Sequence, residues 1–155
     1  MVDETSNNSN ASKTNEFDKE GFYNYINVFT LSDSEAGMFG AAITTMGGDV
    51  DSILSALEIE PINESELDGI NPIVASEYRA RYAKLCDACS NMTSSYQIWN
   101  SQQSVNAYRN TQKEMREYNS IGLGASSAKT QAVEAFRQFL AVYNYIIYFC
   151  LNRST

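Results

Sequence analysis

The 155-residue chain has no histidine at all. That absence removes imidazole acid/base chemistry, Ser-His-Asp and Cys-His nucleophile pairs, histidine-ligated haem and histidine-containing zinc sites. Cysteine is scarce as well: Cys86, Cys89 and Cys150 are an odd number and too few for a disulfide framework. No basic residue occurs between Lys19 and Arg79. Long apolar runs are missing too. The longest, Phe139–Leu151, is interrupted by Asn144 and falls short of the ~20 residues a spanning helix needs. The opening residues carry neither the basic nor the apolar region of a secretory signal, and position 2 is Val rather than the Gly that myristoylation requires. The expectation is a soluble protein of a reducing compartment, either cytoplasmic or incorporated in a virion or other particle, with no membrane span.

Acidic residues are plentiful and unevenly placed. Residues 1–70 hold 14 acids and two lysines, while residues 71–155 hold five acids and nine bases, so a net charge of −8 divides into an acidic front and a mildly basic back. Residues 1–15 are rich in Asn, Ser and Thr and read as a flexible polar arm, because so little apolar surface cannot offset ordering entropy. The rest, 16–155, reads as a single all-α domain, with short acidic helices over 16–70 and a helical hairpin over 71–155. Sustained period-2 alternation, the strand signal, is absent.

Three short helices are expected in the acidic part. Asn15 can cap the first, with Phe22, Ile26 and Phe29 on one face. Ser32 and Glu35 form a capping-box pattern before Phe39, Ile43 and Met46, ended by Gly47-Gly48. Asp49 caps the third, which turns Ile53, Leu54 and Leu57 inward and stops before Pro61.

Asn71-Pro72 then begins the strongest element, with Asn at the cap and Pro at the first helical position. Tyr78, Tyr82, Leu85, Cys89, Met92, Tyr96 and Trp99 follow in steps of 4 and 3, a heptad seam. Beyond Trp99 the seam meets Gln103, Asn106 and Asn110, and the apolar residues shift to Val105, Tyr108 and Met115. Ile121 to Ser127 reads as a turn, with Ser126 or Ser127 capping a last helix whose seam is Ala132, Phe136, Phe139, Tyr143, Ile146 and Cys150. The expected fold is therefore a long antiparallel hairpin, about 72–119 and 127–151, with three short helices packed at its base.

The motifs that could carry chemistry fail on inspection. Cys86-x-x-Cys89 lies mid-helix and lacks the further ligands of a zinc site. The segment from Gly122 to Thr130 has Leu and Ala where a phosphate loop needs Gly. The stretch from Asp49 to Glu60 has Leu54 in place of the Gly of a calcium loop. Glu64, Glu66 and Asp68 fall in a polar loop with ordinary solvation expected. Neither catalytic residue, cofactor nor metal is expected.

What remains points to contacts between proteins. The last helix is apolar on most sides, and Phe139, Tyr143, Ile146, Ile147, Tyr148 and Leu151 are its candidate interface residues. Arg109, Lys113 and Arg116 share a polar helix face that could meet an acidic surface; nucleic acid is not expected as a partner except within an assembly. Ten tyrosines fit the same picture, with Tyr23, Tyr25, Tyr118, Tyr145 and Tyr148 falling off the seams. The leading expectation is a non-enzymatic structural subunit of a larger assembly, such as a virus or phage neck, tail or capsid-associated component. It would pack with itself, as a homo-oligomer, or with other assembly proteins, through helices and acidic-to-basic contacts. The alternatives are an acidic adaptor or assembly chaperone with a single protein partner, and a secretion-system filament subunit.

Overall fold

The structure, a computed structural model, describes residues 16–103 and 112–151. These form an all-α fold: α1 (Lys19–Val28), α2 (Asp33–Met46), α3 (Val50–Ala56), α4 (Glu64–Asp68), α5 (Pro72–Gln103) and α6 (Gln112–Tyr145), the last continued by a π-helical end, Ile146–Leu151. The helix starts have local causes. Asp18 accepts from the Gly21 N–H to cap α1, a role expected of Asn15, which lies outside the described residues with the rest of the arm 1–15. Ser32 and Glu35 close the capping box of α2. Asp49 caps α3, and Asn71 accepts from the Ile73 N–H ahead of Pro72. Gly47 ends α2 at a φ of 67°, which glycine adopts without a Cβ clash.

The hairpin is present, with its reversal earlier in the chain than expected. Tyr78 and Tyr82 pack on Phe139, Lys84 reaches Gln138, and Trp99 stacks on Tyr118, so α5 and α6 run antiparallel and the chain turns back between Gln103 and Gln112. Ile121 to Ser127, expected as the turn, lies within α6, and Ser126 and Ser127 cap nothing. Packing overrides the helix-breaking tendency of the two glycines. Trp99 lies across Gly122 so closely that a Cβ there would come within 2.6 Å of the indole ring. Ala125, Ala128, Ala132 and Ala135 continue the buried side of α6. Val105, Tyr108 and Arg109 lie outside the described residues.

A fourth short helix also appears. Glu64–Asp68, expected as a loop, forms α4 behind a reciprocal Asn63–Glu66 capping box. The core is one cluster running from Phe22 and Ile26 through Phe39, Ile43 and Leu54 to Leu85, Phe136, Phe139 and Ile146. Its centre is a Phe39–Phe136 stack at 4.5 Å and 11° that seats α2 on α6. Polar clamps join the linkers to the hairpin. The Tyr78 hydroxyl accepts from the Ile62 N–H, the Tyr143 hydroxyl donates to the Glu60 carbonyl at 2.8 Å, and Arg137 donates to the Phe29 carbonyl at 3.0 Å. Backbone groups that no helix satisfies thus find partners on α5 and α6.

The two glycines of α6 should respond oppositely to alanine. Gly124 has open space around its Cα, so Gly124→Ala is expected to raise stability by about 1 kcal/mol from helix propensity alone. Gly122→Ala drives a methyl into the Trp99 ring and is expected to lower it. Thermal melts followed by circular dichroism compare the two directly.

Candidate interaction surfaces

The expected interface residues divide sharply by position. Phe139 and Ile146 are fully buried in the chain's own core. Tyr143 is half-buried, with its hydroxyl committed to Glu60, and Ile147 and Leu151 pack partly against the core. Short helices wrapped around the end of α6 thus absorb most of the apolar surplus that its sequence displays. Tyr148 alone of the apolar set is exposed, at 60%. Lys113 and Arg116 are exposed on α6 and form no ion pair among the described residues, and Arg109 lies outside them.

The surface that emerges at the base was only partly anticipated. Phe149, 65% exposed, meets Tyr25 edge-on at 5.5 Å and Tyr145 at 5.0 Å, and Tyr145 in turn packs on Phe22. Tyr148 stands beside it, and Val28 lies exposed one turn beyond Tyr25 on α1. The result is an aromatic knob where the end of α1 meets the π-helical end of the chain. Phe149 falls off the apolar seam of the last helix, and that was the signal in the sequence. Across Ile146–Leu151 the i→i+5 pattern changes the helical pitch, so these side chains leave the α6 seam.

Near the other end of the hairpin is a groove of about 380 Å³, lined by Tyr96, Trp99, Asn119, Gly122, Leu123 and Ser126. Leu123 is 72% exposed at its edge. A second groove, about 510 Å³, runs between the end of α2 and α5 and shares Tyr96. The Trp99–Tyr118 contact, at 4.6 Å, lies outside the main core cluster, so the tip of the hairpin has a small core of its own.

The ion pairs found among the described residues lie in the base. Arg79 pairs with Glu64 at 2.7 Å and lies near Asp68, Arg81 pairs with Glu77, and Arg137 pairs with Glu134 at 2.7 Å. Of these bases Arg79 serves the acidic front, whereas the Arg81 and Arg137 pairs lie within the hairpin. The Arg137 guanidinium, helped by Gln138 and Lys84, holds the Glu134 carboxyl down at about 2. Burial and a hydrogen bond to Asp51 push the Tyr82 hydroxyl far above its usual value. Burial pushes the Cys89 thiol up to about 12 and raises Cys86 as well, so neither cysteine is an activated nucleophile. Among the described residues no group of three or more Cys, Asp or Glu could hold a metal ion, and no helix is long and apolar enough to cross a membrane.

No protein-family model, curated protein sequence or solved structure matches this chain.

The Glu134–Arg137 pair positions the donor that clamps the α1–α2 linker through Phe29, which gives it a pH signature. A carboxylate with a depressed folded-state pKa stabilises above its unfolded value, ~4.3, and loses that contribution as pH falls toward the folded value. Both side chains keep solvent contact, so the effect is modest. Glu134→Gln should lower Tm at pH 7, and the deficit should close as pH approaches 2 in thermal melts.

Proposed function

We propose that this chain is a non-enzymatic structural subunit of a larger protein assembly, joined to copies of itself through helix surfaces. The observation that carries the reading is the aromatic knob of Tyr148 and Phe149, 60% and 65% exposed and continuous with Tyr25. Aromatic side chains of this size, left in water at one end of a folded chain, are enriched where proteins meet. The titration behaviour supports a role without chemistry. Cys89 and Tyr82 are held protonated far above neutral pH, and Glu134 is held ionised by a structural ion pair. Among assemblies, a virus or phage particle, in a neck, tail or capsid-associated position, is the setting we favour. The small, acidic, helical profile supports it.

Size-exclusion chromatography with light scattering, over a protein and salt series, tests the proposal. The expected result is a mass above the 17.3 kDa of one chain, rising with concentration. A Tyr148→Ser/Phe149→Ser variant should elute as a monomer under the same conditions. A wild-type chain that stays monomeric at every concentration and salt would overturn the reading.

A further inference from the structure

The two exposed apolar features of the hairpin differ in shape and sit toward opposite ends. At the base is a convex aromatic knob; near the tip is a groove open to solvent beyond the end of α2. Resting on the assembly reading above, we propose that the joint between copies is heterologous. In it, Tyr148 and Phe149 of one copy seat in the groove between Tyr96, Trp99 and Leu123 of a second copy.

Three observations favour a second copy as the occupant. First, shape: the groove, about 380 Å³, is lined by Tyr96, Trp99 and the exposed Leu123 beside Asn119 and Ser126, a largely apolar concavity with room for aromatic rings. Aromatic pairs in such a setting add to simple area burial.

Second, charge. Residues 16–70, which build the base, carry twelve acids and one base, Lys19. Of these acids, Asp18 lies close enough to Tyr145, a ring neighbour of Phe149, to act on its hydroxyl. Arg116 and Leu123 stand seven residues apart on one face of α6, and Arg116 and Lys113 form no ion pair among the described residues. The base around the knob is therefore acidic, and the helix face beside the groove holds two cations that form no ion pair among the described residues. Glu114 and Glu117 alternate with those cations, so the charge term orients the approach and apolar burial supplies most of the attraction.

Third, the contact is not self-complementary: knob and groove are different surfaces of one chain. A heterologous contact leaves a free knob and a free groove on every complex, so it continues into an open chain or closes as a ring. Two rings against Trp99 and Leu123 bury less than a standard interface of about 1,600 Å², so each joint is weak and association rises with concentration.

A mixing experiment tests this joint separately from the assembly reading. The base variant is Tyr148→Ser/Phe149→Ser, with Phe149→Ser alone as a milder form; the tip variant is Leu123→Asp. All three positions are more than half exposed, and circular dichroism melts confirm that each variant keeps the wild-type helix content. Each variant alone is expected to be monomeric by light scattering, with association weakened at least tenfold. Mixed one to one, they are expected to give a species of twice the monomer mass and nothing larger, because one intact groove accepts one intact knob. A tip variant that associates like the wild type means that knob meets knob; this overturns the joint and leaves the assembly reading standing. The same holds if the mixed variants stay monomeric while the wild type assembles. A wild-type monomer overturns both.

Discussion

The close approach of α5 and α6 is the constraint on which the other helices depend. Its α6 side is made of small residues, Ala125, Ala128, Ala132 and Ala135, with Gly122 at the distal end. Against them lie Leu85, Cys89, Met92 and Trp99 from the α5 seam. Small side chains let two long helices come together, yet they bury little area of their own. The bulk comes from the hairpin and from the short helices together. Phe22, Phe39, Ile43 and Leu54 from the short helices fill the space beside Phe136 and Phe139, and these are the side chains whose burial contributes most. The hairpin supplies the frame and part of the filling, and the acidic segment supplies the rest.

That division explains the placement of tyrosine and arginine. Two of the three linkers between short helices cross the hairpin surface, and their backbone groups need partners. Tyr78 and Tyr143 meet the stretch before α4, and Arg137 meets the stretch between α1 and α2. The Tyr82 hydroxyl reaches α3 through Asp51, and Arg79 reaches α4 through Glu64. Long amphipathic side chains pack with their stems and bond with their tips. One hairpin base, Arg79, thus faces acids of a short helix, Glu64 and Asp68 of α4.

Much of this was legible in the residues. The capping boxes, the Asn71-Pro72 start and the Tyr78–Trp99 seam are local signals, and the helices follow them. The reversal was misplaced because Gly122 and Gly124 look like punctuation, and only the Trp99 ring across the hairpin explains a glycine mid-helix. That contact is non-local and leaves no periodic trace. The seam itself ends at Trp99, four residues before the last described residue of α5, and was the better marker. Likewise, the apolar breadth of the last helix made Phe139 and Ile146 candidate interface residues. Both are buried in the chain's own core, Phe139 among Tyr78, Tyr82 and Tyr143, and the exposed patch lies further out at Tyr148 and Phe149. Surface identity depends on what covers each turn, and a single helix pattern does not contain it.

The separateness of the tip core has a consequence for how the protein can change. Trp99, Tyr118 and Gly122 hold the distal hairpin together without joining the main cluster, which ends near Tyr96 and Ala128. Regions held by few buried contacts open locally at a fraction of the global unfolding free energy. Amide protons along the distal turns of α5 and α6 would then exchange with solvent while those beside Phe136 stay protected. The fold thus has two tiers of stability along one hairpin, and the distal turns can open while the base stays closed.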